Sequence, residues 1–254
     1  MWQVPTVVGP LWVDRWDRSV GKKLRLQAEY ESRTTRWLMT VTTPGMVVVD
    51  IGANIGYFTV LFGRYVGPAG RVLAFEPAPF NRELLARNVR DNGMAEWITI
   101  DAAAVTDHEG TERFYIHNSH SGVHSLSAAN LAPAEGVQQI EVPATTLDAA
   151  VARAGLAQVD IVKIDAQGAE TQILRGAAQT LSGPQPRTVL LELWPFGLEN
   201  CGGSAGEVAE RLRDWGFSPS TLTKRGTEPL SWGDVLQQAA ALTDHGSINL
   251  VLTK

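Results

Sequence analysis

The sequence is poor in cysteine, in long apolar runs and in net positive charge. A single cysteine, Cys201, among 254 residues excludes an internal disulfide and a zinc site built from several cysteines, and it fits a reducing cytoplasm. No run of about 18 apolar residues predicts a membrane span, and the first ten residues lack the features of a signal peptide. The net charge of −5 argues against binding a nucleic-acid backbone. We therefore expect a cytoplasmic protein without nucleic-acid or membrane partners.

Short apolar runs alternate with helical periodicity from residue 46 onward. Continuous β-branched runs are typical of parallel strands buried on both faces, and their alternation with helices indicates βαβ units. The predicted strands span residues 46–51, 71–75, 97–101, 159–164, 188–193, 217–222 and 247–252. The predicted helices span residues 56–66, 79–92, 146–154, 168–181 and 204–215. The pattern predicts a Rossmann-like α/β fold with a seven-stranded, mostly parallel sheet and helices on both faces.

Two segments stand outside this alternation. Residues 1–43 are predicted to be an N-terminal helical extension or lid, with its best helix over 29–40, preceding a domain over 44–254. Its aromatic residues lead us to expect that it covers part of a ligand pocket. Residues 111–145 are predicted to form a hairpin arm with an irregular loop over 117–127. The last two predicted strands have no predicted helix between them and would place an antiparallel strand in the sheet.

The segment from Asp50 to Gly56 carries the strongest functional signal. It lies between a predicted strand and a predicted helix, and Gly52 and Gly56 allow a sharp turn and a close approach at the helix start. Ligands of open parallel sheets bind in the crevice beyond the carboxyl ends of the strands. The segment lacks the glycine spacing that admits a pyrophosphate, and Asp50 would repel a diphosphate. The pattern therefore predicts a cationic cofactor without phosphate, with Asp50 facing its ammonium or a water network around it.

A second acid follows the next predicted strand. Glu76 comes 20 residues after Gly56, where an acid can accept hydrogen bonds from both hydroxyls of an adenosyl ribose. Small residues follow the third strand, and Ala103 and Ala104 would leave room for an adenine face. An adenosyl group with a cationic tail fits all three strand ends.

These motifs, taken together, resemble the FkbM-type methyltransferases of class I over residues 45–195. The similar segments are Asp50–Thr59, Phe75–Pro77, Asn88–Val89, Ala104–Asp107 with Gly110, Thr146–Asp148, Lys163–Glu170, Leu174–Ala177 and Val189–Leu193. The resemblance implies S-adenosylmethionine as the methyl donor and an O-methyl product on a polyketide, a sugar or another secondary metabolite. One departure is Gln167, where the family commonly has Glu. The candidate cofactor-binding residues are Asp50, Gly52, Ala53, Asn54, Gly56, Phe58, Glu76, Pro77, Ala103, Ala104 and Asp165.

Methyl transfer to a hydroxyl needs alignment of the acceptor oxygen and removal of its proton. Asp165 and Glu192 end neighbouring predicted strands and would both point into the crevice. They are candidate catalytic residues and candidate ligands of a divalent cation such as Mg²⁺. In the alternative, one of them or a loop histidine, His120 or His124, acts as a general base without a metal. A purely structural role for both carboxylates is the third possibility.

Two further function classes stay open at the level of sequence. A nicotinamide-dependent oxidoreductase shares the sheet architecture, although it needs a glycine loop that tolerates phosphate. A non-catalytic scaffold that retains the cofactor fold is the other. The identity of the small-molecule hydroxyl acceptor and the oligomeric state do not follow from the sequence.

Overall fold

The computed structural model describes residues 1–131, 136–244 and 246–254. Their strands are β1 (Trp2–Thr6), β2 (Gly9–Val13), β3 (Val47–Ile51), β4 (Arg71–Phe75), β5 (Ile98–Asp101), β6 (Ala104–Thr106), β7 (Gly110–His117), β8 (Val137–Thr146), β9 (Ile161–Ile164), β10 (Thr188–Leu193), β11 (Ser218–Thr223), β12 (Gly226–Pro229) and β13 (Ile248–Thr253). Their α-helices are α1 (Val20–Gln27), α2 (Ser32–Val41), α3 (Tyr57–Val66), α4 (Pro79–Asp91), α5 (Leu147–Arg153), α6 (Glu170–Arg175), α7 (Ala178–Ser182), α8 (Pro195–Asn200), α9 (Ala205–Asp214) and α10 (Trp232–Ala240). Among the described residues, no helix combines the length and apolar character that a membrane span requires.

The main sheet has eight strands in the order β12-β11-β13-β10-β9-β3-β4-β5. The strands from β10 to β5 in this order are mutually parallel, whereas β13 is antiparallel to both of its neighbours. The predicted Rossmann-like α/β fold is therefore confirmed, and each predicted strand is present. The predicted number of seven strands is wrong by one, because the exposed strand β12 lacks the apolar residues that would have signalled it. Helix α10 also went unpredicted, and it separates the last strands.

Alternation along the strands divides the core into two layers. Val48, Val72 and Ile161 pack on one face with α3, α4 and the N-terminal segment. Val49 and Val162 pack on the other face with helices α5 to α10. Successive side chains of a strand point to opposite faces of the sheet. Alternate residues therefore lie on the same face, and this alternation continues just beyond the end of each strand. This periodicity decides which polar residues meet at the site.

The N-terminal segment corrects one prediction. Residues 2–13 form an antiparallel hairpin of β1 and β2, not a helix. Helices α1 and α2 follow it, and α2 overlaps the helix predicted over 29–40. The hairpin buries Leu11 and Val13 in the same core layer as α3 and α4. Burial of alternate residues explains why a strand forms where the sequence offers no helical periodicity.

The predicted arm after the third strand of the domain is confirmed. β7 and β8 pair antiparallel over eight residue pairs, and β6 adds to β8 in parallel, which makes a separate three-stranded sheet. The helix predicted over 168–181 is instead two short helices, α6 and α7. The break falls at Gly176, where a Cβ atom would overlap the carbonyl oxygen of Thr106 in β6. Close approach of the arm therefore interrupts this helix.

Candidate active site

A cavity of about 400 Å³ opens at the carboxyl ends of the parallel strands. The loops after β3, β4, β5 and β9 line it, together with α1, the segment between α1 and α2, and the arm loop. The predicted site residues that line it are Gly52, Ala53, Asn54, Phe58, Glu76, Pro77, Ala103, Ala104, His124, Asp165 and Glu192. Asp50, Gly56 and His120 do not line it. The structure thus gathers most of the predicted residues around one space.

The two glycines after β3 have different reasons to be glycine. Gly52 has φ +75°, and a Cβ atom there would overlap the carbonyl oxygen of Asp165. Gly56 has φ +91°, and its Cβ atom would lie 2.5 Å from Cδ1 of Leu85 in α4. Gly52 therefore lets the β3 and β9 loops meet beside the cavity, whereas Gly56 serves helix packing behind it.

Asp50 lies beneath the cavity instead of facing it. Its side chain is fully buried, its Oδ2 accepts a hydrogen bond from the Thr59 hydroxyl at 2.7 Å, and its Oδ1 lies 3.4 Å from Nζ of Lys163. The expectation that Asp50 faces the ammonium of a ligand is corrected accordingly. Its partner is the ammonium of Lys163, a residue that sequence reasoning did not place in the site.

Glu76 is a buried carboxylate at the rim of the cavity, 4% exposed. Its Oε2 accepts the backbone N–H of Asn54 at 2.8 Å, and its Oε1 accepts that of Ala78 at 2.9 Å. Asn54 reaches this position through a left-handed backbone conformation, φ +52°. Burial raises the pKa of Glu76 to about 7, although the two N–H groups oppose the shift. Each oxygen retains acceptor capacity for a ligand hydroxyl.

Lys163 and Asp165 share one side of the sheet because they are two residues apart on and just after β9. Nζ of Lys163 lies 3.5 Å from Oδ2 of Asp165 and over the ring of Phe58, 5.4 Å from its centroid. Burial lowers the pKa of Lys163, but the carboxylates of Asp50 and Asp165 outweigh it and raise the pKa above its ordinary value. A buried, protonated lysine thus links the two acids of this face. The spacing of two along a strand could have revealed it.

Asp165 and Glu192 meet across neighbouring strands, as predicted. The side-chain amide of Gln167 lies between them, with Nε2 2.8 Å from Oδ1 of Asp165 and 2.8 Å from Oε2 of Glu192. Burial raises the pKa of Asp165, but Lys163 outweighs it, so that the net pKa is lowered. Burial and the negative charge of Asp165 together hold the pKa of Glu192 well above its ordinary value. One proton on Glu192 and a charge on Asp165 is the arrangement that these directions favour.

The contacts of this pair do not fit a divalent cation. Metal ligation would direct several oxygen atoms toward one point, whereas here an amide N–H₂ and a lysine ammonium already occupy the near side of the carboxylates. In the part of the chain that the structure describes, no group of three or more His, Cys, Asp or Glu side chains could hold a metal ion. The geometry therefore favours the metal-free version of the hypothesis.

The two candidate histidines differ in position. His124 lines the cavity, and its Nδ1 accepts the backbone N–H of His117 at 3.1 Å. Burial, aided by His117, lowers the pKa of His124 to about 4, so the ring is neutral at pH 7 and its proton is assigned to Nε2. That nitrogen donates and cannot accept a proton. His120 instead stacks edge-on against His117, with ring centroids 4.6 Å apart, and stays outside the cavity. The geometry supports neither ring as a base.

The N-terminal segment contributes Lys23, Tyr30 and Glu31 to the cavity lining. Lys23 and Glu31 are not among the predicted site residues, whereas Tyr30 is one of the aromatic residues that led us to expect a cover. The ring of Tyr30 packs edge-on against Tyr57 and Phe58, with centroids 6.0 and 6.1 Å apart. The aromatic content of this segment is the signal that pointed to it. Residues of this segment line the cavity, and its action as a cover stays a prediction.

Hydrogen bonds join the N-terminal segment to the arm loop. Oδ1 of Asp17 accepts the backbone N–H of Ser121 at 3.0 Å, and Oδ2 accepts the Ser121 hydroxyl at 2.9 Å. The hydroxyl of Ser19 accepts the N–H of Gly122 at 3.0 Å. The carbonyl of Ser121 in turn accepts Nδ2 of Asn54 at 2.7 Å. The arm loop is therefore hydrogen-bonded both to the N-terminal segment and to the loop that follows β3.

Comparison of the sequence with known proteins relates the chain to one family. The model of the FkbM methyltransferase domain matches residues 50–219. The 31-O-demethyl-FK506 methyltransferase FkbM of Streptomyces tacrolimicus is 30% identical over 223 residues, covering 78% of this chain and 81% of that protein. The 2-O-methyltransferase NoeI of Sinorhizobium fredii is 27% identical over 150 residues, covering 55% and 60%.

A solved structure of a methyltransferase FkbM from Methylobacillus flagellatus superposes with a TM-score of 0.47 at 15% identity, covering 95% of this chain and 56% of that one. The domain match alone spans more than half of the chain, and it includes the loops after β3, β4 and β9 that line the cavity. By both measures of sequence similarity, the chain belongs to the FkbM methyltransferase family.

Proposed function

We propose that the protein uses S-adenosylmethionine to methylate a hydroxyl of a small molecule, such as a polyketide, a sugar or another secondary metabolite. The observation that carries the proposal is one cavity that joins Glu76 to the Asp165–Glu192 pair. Two inter-strand steps separate β4 from β9, so the two acidic regions stand about 10 Å apart. A nucleoside and an acceptor oxygen can occupy such a space side by side.

The Glu76 end suits the nucleoside. Its two oxygens face donors of the chain on one side and retain lone pairs for the two ribose hydroxyls. Ala103 and Ala104, both 4% exposed, leave a flat apolar surface for the base. Pro77 and Phe58 complete this half of the wall. The chain offers no cluster of basic side chains here among the described lining residues, which agrees with a ligand that lacks phosphate.

The Asp165 end suits the acceptor hydroxyl. S-adenosylmethionine supplies an electrophilic methyl group when bound. Lys163 keeps Asp165 ionised, and an ionised carboxylate accepts a hydrogen bond from a hydroxyl and can take up its proton. Gln167 and Glu192 fix the orientation of that carboxylate. Holding the acceptor oxygen in line with the methyl group contributes several kcal/mol in general, about 7 or more in favourable cases.

The O-methyl specificity draws support from two of the relatives, a 31-O-demethyl-FK506 methyltransferase and a 2-O-methyltransferase. We further propose that the protein acts in the cytoplasm, without nucleic-acid or membrane partners, since its net charge is −5 and it has one cysteine.

The first experiment compares cofactors. S-adenosylhomocysteine should raise the thermal midpoint of the protein and NAD should not; the opposite result would favour the oxidoreductase alternative. The second experiment offers methyl-labelled S-adenosylmethionine and fractionated metabolites to the protein, and mass spectrometry identifies the labelled product. Asp165→Asn serves as the matched variant, because it should retain S-adenosylhomocysteine binding and lose transfer. Binding without any labelled product from a broad set of hydroxyl compounds would favour the scaffold alternative, and a label on nitrogen or carbon would refute O-methylation.

A further inference from the structure

Gln167 adopts a backbone conformation that few residues other than glycine take. Its φ is +50°, a left-handed conformation that persists only where the surroundings enforce it. Its carbonyl oxygen accepts the Ser125 hydroxyl at 2.8 Å and Nδ2 of Asn130 at 3.0 Å, both from the arm. Oε1 of Glu170 accepts the backbone N–H of the flanking residues Ala166 and Gly168 at 3.1 and 3.2 Å. Four hydrogen bonds therefore fix the loop around this residue.

The fixed backbone directs the side chain between two carboxylates. A primary amide has two N–H groups on one nitrogen, and Nε2 of Gln167 stands 2.8 Å from an oxygen of Asp165 and 2.8 Å from an oxygen of Glu192. The remaining oxygens are also engaged, since Oδ2 of Asp165 lies 3.5 Å from the Lys163 ammonium and Oε1 of Glu192 accepts the Ser247 hydroxyl at 2.8 Å. Each oxygen of the pair thus faces a donor or a cation of the protein itself.

A divalent cation between two carboxylates would need the position that this amide nitrogen holds. A glutamate at the same backbone position would bring a third carboxylate to that point without changing the length of the side chain. Glutamine and glutamate have side chains of the same length, so at position 167 the charge decides whether the side chain donates a hydrogen bond or could bind a cation.

We propose that Gln167 is a positioning residue that takes the place of a divalent cation between Asp165 and Glu192, so that the protein orients these carboxylates without a metal ion. For the acceptor step the inference rests on the proposed function. For the metal it rests only on the contacts of Gln167, Asp165 and Glu192. The relevant ligand class is a hard divalent cation with oxygen ligands, which this chain excludes and its charge variant admits.

The test compares three full-length proteins: wild type, Gln167→Glu and Gln238→Glu. Each is titrated with Mn²⁺, and electron paramagnetic resonance measures the concentration of the free ion. Gln238 lies on the exposed face of α10 and does not line the cavity, so its variant adds the same charge outside the cavity. We expect weak, non-saturating binding for wild type and Gln238→Glu, and one saturable site in Gln167→Glu that binds at least about tenfold more tightly. Asp165→Asn in the Gln167→Glu background should abolish that site.

Two results would overturn the proposal. One is saturable Mn²⁺ binding by wild type that Asp165→Asn removes. The other is a folded Gln167→Glu protein, with unchanged circular dichroism and S-adenosylhomocysteine affinity, that binds Mn²⁺ no better than wild type. The wild-type measurement can overturn the proposal even where Gln167→Glu fails to fold. Neither titration uses a methyl donor or an acceptor, so their failure is distinguishable from failure of the proposed function.

Discussion

Glu76→Gln is the variant for which the structure gives the most specific expectation. Glutamine keeps the shape of the side chain, but only one of its two terminal atoms accepts a hydrogen bond. The other would face the backbone N–H of Asn54 or of Ala78 with a donor of its own. The variant also removes the negative charge that strengthens a bond to a ribose hydroxyl. Hydrogen bonds to charged groups contribute about 1.5–3 kcal/mol each, so the affinity for S-adenosylhomocysteine at pH 8 should fall at least about tenfold.

The pH dependence makes the expectation sharper. Burial places the pKa of Glu76 at about 7, so the carboxylate is mostly protonated at pH 6 and mostly ionised at pH 8. The ionised fraction, and with it the affinity of wild type, should rise about tenfold over this interval, or about 1.4 kcal/mol. Glu76→Gln has no such proton and should show a flat profile.

Isothermal titration calorimetry at pH 6, 7 and 8 measures both effects, with circular dichroism as the control for folding. Glu210→Gln is the matched control, because Glu210 is exposed on α9 and does not line the cavity. It should reproduce the wild-type affinities at all three values of pH. A flat wild-type profile would refute the titration of Glu76, and an unchanged affinity in Glu76→Gln would remove Glu76 from the ribose site.

Three changes near the site and one in the core give further expectations. Gly52→Val should abolish S-adenosylhomocysteine binding in calorimetry, because its side chain would overlap the carbonyl of Asp165; tight binding would mean that the loop is placed wrongly. Burial raises the folded-state pKa of Glu170 from 4.5 to about 7, so the folded state holds a proton that the unfolded state has lost, and stability should fall as pH rises from 4.5 to 7, by at most about 3 kcal/mol. Urea unfolding of Glu170→Gln should show a shallower decline, and an identical slope would contradict this. His124 has a pKa of about 4, so His124→Asn should keep the wild-type shape of the rate profile between pH 5 and 8, and loss of an inflection there would restore the ring as a base. Leu38→Ala removes a fully buried side chain of α2 and should lower the free energy of unfolding by about 2–5 kcal/mol, whereas a change near zero would mean that α2 is dispensable to the core.

The sequence was sufficient to predict seven of the eight strands of the main sheet and the strand-end residues around Glu76 that line the cavity. A run of β-branched residues followed by glycine or an acid predicts the end of a strand. Both Gly52 and Glu76 lie where that pattern predicts. The sequence predicts the strand end at which Asp50 lies, but the prediction that Asp50 faces the ligand is wrong, because its side chain is buried beneath the cavity. Its neighbour across the sheet, Lys163, is a long-range contact between β3 and β9, and such pairing does not follow from local periodicity.

The N-terminal segment and Gln167 show the other limit. Residues 2–13 form a hairpin because their alternate side chains are buried by α3 and α4, and those helices come much later in the chain. From the sequence alone, Gln167 stands out only as a departure from a family pattern. Its left-handed conformation is imposed by Ser125 and Asn130 of the arm, and its partner Glu192 comes from another strand. These contacts arise only when distant segments meet.

The position of β13 has a consequence for synthesis of the chain. β13 lies between β10 and β11 and pairs with both, yet it follows all the other strands that the structure describes. Until residues 248–253 have left the ribosome, the hairpin of β11 and β12 has no place in the main sheet, and the apolar edge of β10 has no partner. Unpaired edges of this kind invite association with other chains. A nascent chain stalled between β12 and β13 should therefore bind chaperones more strongly than the released protein, because its central sheet is still open along one side.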